Sequence, residues 1–285
     1  MTASPAHFPA DDGTRLAYHV HGEGRPLVCL PGGPMRDAAY LGDLSGLAAA
    51  AGRRLILLDL RGTGESARPE DPSTYRCDRQ ADDVEALREH LGLERLDLLA
   101  HSAGANLAAR YAERHPKRIG RLVLVTPNAA AVGIDASAEE RRQVALLRED
   151  EPWFADAWAG LQAVATGQAA PEDWQRITPF KYGRWDDAAR ALEAAGKDQR
   201  HEEAAGVFMS DASFDPETTR RALAALPGPA LLLAGEFDVA SPPAAVERLA
   251  ELLPDARVVV QPGAGHFPWL DDPAPFASTV AAFLN

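Results

Sequence analysis

Apolar residues along the chain follow two spacings that take turns. Between Thr14 and His21 the sequence TRLAYHVH alternates, with Leu16, Tyr18 and Val20 on one face, as in a strand with one wet side. Unbroken apolar runs then recur at PLVCL (26–30), RLILLDL (54–60), LDLLA (96–100), RLVLVTP (121–127), PALLLAG (229–235) and RVVVQ (257–261), the pattern of strands buried on both faces of a parallel sheet. Helical spacing fills the gaps. Leu41, Leu44, Leu47 and Ala48 predict a helix over 37–51, and Ala81, Val84, Leu87 and Leu91 one over 79–91, with others expected over 103–114 and 244–253. Strand and helix in turn imply an α/β class fold, a parallel sheet with helices on both faces and right-handed crossovers.

The rhythm breaks at Pro127. From Asn128 to about Pro227 there is no comparable β run, only helical stretches such as 138–150 and 185–197, and four of the five tryptophans (Trp153, Trp158, Trp174 and Trp185) fall there. This divides the chain into a core, 1–127 and 228–285, and a helical cap insertion, 128–227, over the sheet edge where open α/β sheets bind ligands. The tryptophans suit either the core of that cap or the walls of an apolar pocket.

Composition narrows the class of partner. At 285 residues, 46% hydrophobic and 25% charged, the chain can bury a sizeable core. Its formal net charge of -13 repels phosphate backbones and anionic membranes, so neither nucleic acid nor membrane is expected as a partner. No apolar run of about 18 residues occurs, and the N-terminal MTASPAHFPADDG lacks a basic stretch followed by an apolar one, so a cytoplasmic location is expected. Cys29 and Cys77 form no metal-ligand spacing, and neither a metal nor a cofactor is called for.

The candidate chemistry sits at strand ends. In LDLLAHSAGANLAAR (96–110) an apolar run passes through a small-residue turn into a helix, with Ser102 at the turn and Ala100 and Gly104 two residues to either side. Such a turn holds a serine hydroxyl proud of the backbone, as a nucleophile requires, although a serine that caps a helix fits the same five residues. PGGPM (31–35) is a loop whose adjacent glycines leave backbone N–H groups unobstructed, suited to an anion or equally to a plain turn. Asp59 and Arg61 in DLRGTGES are expected to brace their loop. Asp238 lies just past one apolar strand and His266 in a glycine-rich loop past the next, so both loops should open on the same sheet edge as Ser102.

A strand ending in a Gly-Gly loop, an elbow serine, an acid and then a histidine, in that order, resembles the α/β-hydrolase superfamily over nearly the whole chain. PGGPM and DLRGTGES resemble the H-G-G-P-G and D-x-R-G-x-G-x-S motifs of proline iminopeptidases and their relatives. Pro31, Met35 and Ala100 depart from those patterns, which have histidine, glycine and glycine there. The resemblance implies an α/β-hydrolase fold, a mostly parallel sheet of about eight strands with a helical cap inserted after the sixth. It implies Ser102 as nucleophile, His266 as base and Asp238 as the acid that orients it, with an oxyanion hole from the backbone N–H groups of Gly33 and Ala103. Asp135 is the rival acid, because some members carry the acid after the strand that ends near Thr126. Substrate contacts are expected from Pro34, Met35, His101, Trp153, Trp158 and Trp269; His101 adjoins the serine but points away from it, as a packing group rather than the base. For an aminopeptidase, Glu139, Glu140 and Glu202 are the carboxylates that could hold a free amino group. The leading expectation is a cofactor-independent serine hydrolase acting on a small, rather apolar ester, lactone, thioester or amide. A proline iminopeptidase-type aminopeptidase is the second, and a non-hydrolytic lyase, cyclase or ligand receptor the third.

Overall fold

The computed structural model describes residues 4–285, and its sheet follows the apolar runs closely. Eight strands run in chain order as β1 (Ala6–Pro9), β2 (Arg15–His21), β3 (Arg25–Leu30), β4 (Arg53–Asp59), β5 (Leu96–His101), β6 (Ile119–Val125), β7 (Ala230–Gly235) and β8 (Ala256–Gln261). Their spatial order is β1-β2-β4-β3-β5-β6-β7-β8. The pairs β1/β2 and β2/β4 are antiparallel and all the rest are parallel. Every residue of β5 and of β7 is buried, which is why these strands read as continuous apolar runs, whereas β2 and β8, toward the two edges, keep partly exposed positions. One core cluster packs Ala100, Leu98 and Val28 with the helices Cys77–His90 and Gly104–Arg114; a second, on the opposite face, packs Leu99, Val123 and Leu233 with the helix Pro273–Leu284. The alternation of a strand sends neighbouring residues to those two layers.

One expectation differs from what is observed, and one strand has no counterpart among the apolar patterns. The predicted helix over 37–51 is broken into a short 3-10 turn, Ala38–Leu41, and a helix, Leu47–Ala51. Positive φ at Gly42, Leu44, Ser45 and Gly46 stops the helix from continuing, so the leucines at three-residue spacing are buried by a turn that coils back rather than by one helical face. Strand β1 carries no apolar alternation, being four residues at the antiparallel edge ending in proline. Cys29 and Cys77 are free and fully buried, and burial pushes both thiols upward, away from reactivity.

Between β6 and β7 the chain holds only helices and turns, among them Ala138–Leu146, Phe154–Ala165, Pro171–Arg176, Asp187–Gly196 and Glu202–Phe208. Their own small core joins Val144, Ala157, Leu161 and Phe180, with Trp153 and Trp158 packed against it. Among the described residues no helix is long and apolar enough to cross a membrane.

Candidate active site

Ser102 follows β5 directly, with a positive φ of 52° that a serine adopts only under constraint. Such backbone costs on the order of 1–3 kcal/mol, and three hydrogen bonds hold it: Ser102 N–H donates to the Val125 carbonyl (3.0 Å), and the Ser102 carbonyl accepts from Ala105 and Asn128 (both 3.0 Å). The glycine loop after β3 presses on this turn. A side chain built on Gly32 would meet Ser102 Cβ at 2.8 Å, so only glycine lets the two loops touch. Ala100 is fully buried in β5 beside Leu30 and Leu124, its methyl absorbed in the core layer that includes Ala103 and Ala105.

Around the serine the two distant loops close a line of hydrogen bonds. His266 Nε2 lies 2.8 Å from Ser102 Oγ, and His266 Nδ1 lies 2.7 Å from Asp238 Oδ2. Asp238 is fully buried, and its second oxygen accepts from the N–H groups of Ala240 (2.8 Å) and Ser241 (3.1 Å), which fixes the carboxylate's rotation. Asp135, the rival acid, is exposed at the surface and pairs with Arg141 at 2.8 Å instead. Among the described residues, the Gly33 and Ala103 amides donate to no protein group. Gly33 lines a cavity of about 750 Å3 together with Ser102 and His266.

His101 is tied into the scaffold behind this line. Its Nε2 is 2.9 Å from the His266 carbonyl, which can only accept, so Nε2 carries the proton and Nδ1 accepts from the Tyr40 hydroxyl at 2.6 Å. Tyr40 in turn accepts the Gly32 N–H at 2.7 Å. One chain of hydrogen bonds therefore runs from the glycine loop to the His266 loop. Burial first, then the nearby His266, holds the His101 imidazole well below the ordinary histidine pKa and so neutral. The His266 carbonyl also accepts from Thr126 Oγ1 (3.0 Å), and the His266 N–H donates to the Lys181 carbonyl (2.7 Å), so the helical segment 126–229 grips the histidine loop as well.

Of the residues expected to touch substrate, His101 borders the cavity from a buried position, but Pro34, Met35, Trp153, Trp158 and Trp269 are not among its lining residues. Met35 is fully buried, taking the Gln80 side-chain N–H on its sulfur, and Trp269 packs edge-on to His101 at 4.9 Å. Trp153 and Trp158 fill the small helical core. Of the tryptophans in the helical segment, Trp174 does line the cavity, together with Arg36, Asn128, Lys181 and Glu193, which carry no motif in the sequence; Arg36, three residues past Gly33, had only its position to mark it. Glu140 serves as a helix cap and pairs with Arg248, whose guanidinium hydrogen bond holds its carboxyl down at about 2; Glu139 accepts from Gln143, and Glu202 pairs with Arg200 at 3.4 Å. Asp59 and Arg61 do brace their loop. Asp59 accepts from Ala38 N–H (2.9 Å) and Glu65 N–H (3.0 Å) and bonds His19 (2.8 Å), while Arg61 forks onto Asp83 and reaches Asp12.

A family model described as alpha/beta hydrolase fold matches residues 25–273. The chain belongs to that family. It is 26% identical to a proline iminopeptidase of Heyndrickxia coagulans, covering 94% of this chain and 93% of the relative. It is 29% identical to a 2-hydroxymuconate semialdehyde hydrolase of Pseudomonas sp. (strain CF600), covering 95% and 91%. Among solved structures, a proline iminopeptidase of Mycobacterium smegmatis superposes with a TM-score of 0.75 at 24% identity, covering 99% of this chain and 97% of that one, a likeness of fold. Both relatives are named for hydrolytic reactions, and this chain is a hydrolase of the alpha/beta fold.

Proposed function

We propose that this hydrolase cleaves an ester, lactone, thioester or amide of a small molecule through an acyl-enzyme on Ser102. One observation carries the reading: Ser102 Oγ, His266 and Asp238 lie in a line of 2.8 and 2.7 Å contacts beside two amides without a protein partner. As Oγ attacks the carbonyl carbon, His266 Nε2 takes its proton. Asp238 keeps Nδ1 protonated and stabilises the imidazolium that forms. The carbonyl oxygen becomes an oxyanion between the Gly33 and Ala103 N–H groups, where loss of one donor costs about 2.7–4 kcal/mol of barrier. His266 then hands its proton to the leaving group, and water repeats the sequence in reverse to free the acid.

Residues 128–227 act as a cap over a core of 1–127 and 228–285, and the bond from His266 N–H to the Lys181 carbonyl makes that cap part of the catalytic frame. Apolar wall residues such as Leu161, Ile177 and Val239 suit a largely apolar acyl chain. Both carboxylates of the cavity, Glu193 and Glu202, already pair with Lys181 and Arg200, so the free amino group of an aminopeptidase substrate would have to compete with a cation of the protein for either one. The test is a fluorophosphonate probe combined with substrate comparison. Wild type should be labelled and Ser102→Ala should not, and acyl nitrophenyl esters should turn over faster than prolyl anilide. Faster cleavage of the anilide would favour the aminopeptidase; an unlabelled wild type would favour lyase, cyclase or receptor.

A further inference from the structure

Arg36 is a buried cation with no carboxylate in contact with it; Glu193 and the adjacent Asp37 act on its charge only at longer range. It is 8% exposed; its Nε donates to Gln199 Oε1 at 2.9 Å, its Nη2 to the Leu192 carbonyl at 3.0 Å, and its Cζ lies 4.4 Å over the Tyr40 ring. Among the described residues no carboxylate pairs with it, and Nη1 makes no hydrogen bond. Glu193, on the same cavity, is held by Lys181 at 3.1 Å and by the Tyr182 hydroxyl at 2.9 Å. A guanidinium with no carboxylate in contact is costly to bury, and a fold normally supplies a paired counter-ion. Here the guanidinium borders the cavity that contains Ser102, three residues beyond the Gly33 amide. Arg141, Lys181, Lys197 and Arg200 border it too, giving the pocket five cations against two carboxylates in a chain whose net charge is -13. Such a cleft concentrates anions.

We propose that Arg36 anchors a carboxylate on the substrate, so that the enzyme acts on acyl compounds bearing a second, anionic group. The proposal rests on the acyl-hydrolase reading of Ser102 and adds an anionic group to the small, rather apolar substrate expected from the sequence. Arg36 suits the role because the guanidinium fork is already fixed by Gln199 and Leu192, leaving Nη1 for a charge-assisted bond to a carboxylate oxygen. Apolar residues of the same cavity, Leu161, Ile177 and Val239, suit the chain joining carboxylate and acyl carbon.

The test compares two esters of one chain: 4-nitrophenyl hydrogen glutarate, with a free carboxylate, and the same nitrophenyl ester with that carboxylate methylated. Wild type should favour the acid in kcat/KM by about 10-fold or more. Arg36→Met should erase the preference through a raised KM for the acid alone, leaving the methylated ester within about 3-fold of wild type, and Arg36→Lys should keep part of it. Equal loss on both esters would make Arg36 a mere strut between the glycine loop and the cap, and a wild type indifferent to the carboxylate would also overturn the proposal. A binding measurement keeps the question open to refutation if Arg36→Met does not fold. Ser102→Ala protein, titrated calorimetrically with succinate, glutarate and adipate, should bind at least one of them and ignore the matching diamide; failure of all three refutes the anchor. Because this arm needs no hydrolysis, dicarboxylate binding without any ester turnover by wild type would refute the Ser102 reading and leave the anchor standing.

Discussion

Replacing Tyr40 with phenylalanine removes one oxygen and breaks the hydrogen-bond chain that ties the glycine loop to the His266 loop. That oxygen accepts the Gly32 N–H at 2.7 Å and donates to His101 Nδ1 at 2.6 Å, and Tyr40 and His101 are both buried. Each partner left unsatisfied costs ~1–3 kcal/mol. With the cavity adjoining, water can reach part of the site, so the lower half of the sum applies, about 3 kcal/mol. At roughly 2–4 °C per kcal/mol for a chain of this size, the melting temperature should fall by about 6–12 °C. Catalysis should fall as well, because Gly32 precedes the proposed oxyanion amide: about 10-fold in kcat, short of the 100-fold expected when a donor is lost outright, with KM little changed. Tyr18→Phe is the control, since its hydroxyl has one long contact, 3.4 Å to His90. Calorimetry and nitrophenyl ester kinetics on both variants decide the matter. A Tyr40→Phe protein that melts within about 2 °C of wild type and keeps its kcat would show that the chain of bonds holds nothing together.

Three further outcomes follow from the same geometry. Asp238→Asn should lower kcat by on the order of 10⁴ by spoiling the imidazole tautomer, while Asp135→Asn, at an exposed ion pair, should leave turnover unchanged; the opposite pattern in ester kinetics would exchange the two acids. Gly64→Ala should destabilise by about 1–3 kcal/mol in denaturant titration, because φ is +50° there and the new methyl would sit 2.3 Å from the Asp59 carboxylate. Burial lowers the His101 pKa in the folded state, so below about 6.5 the unfolded chain takes up the proton first and stability falls as pH drops, by at most ~1.4 kcal/mol per pH unit from this group. Denaturant titrations at pH 7.5 and 5.5 should show a smaller difference in His101→Gln, and an unchanged difference would remove His101 as a contributor.

Much of the architecture was legible because buried parallel strands must be apolar throughout, and β3 to β7 are buried along most of their length. Chain order did the rest: loops leaving one edge of a parallel sheet converge, so Ser102, Asp238 and His266 could be singled out although up to 164 residues separate them. The break in 37–51 escaped because three-residue spacing fits a coiled turn as well as a helix, and the positive φ values that separate them leave no mark in hydrophobicity. The cavity wall was least legible. Tryptophans in the helical segment are apolar enough for either core or pocket: Trp153 and Trp158 went to the core and Trp174 to the cavity wall, beside polar residues without a motif such as Arg36 and Glu193. Charge pairing in three dimensions, rather than spacing along the chain, distinguishes Arg36 from the other surface-coded arginines.

The acyl-enzyme itself is the most direct test. Trypsin cutting after Arg95 and Arg110 releases Leu96–Arg110, a peptide whose only serine is Ser102. Protein quenched in acid during turnover of a nitrophenyl ester should yield this peptide heavier by one acyl group, with fragment masses placing the group on Ser102 rather than on the adjacent His101. Turnover with the peptide unmodified under the same quench, or with the acyl group on another residue, would contradict the assignment of Ser102 as nucleophile.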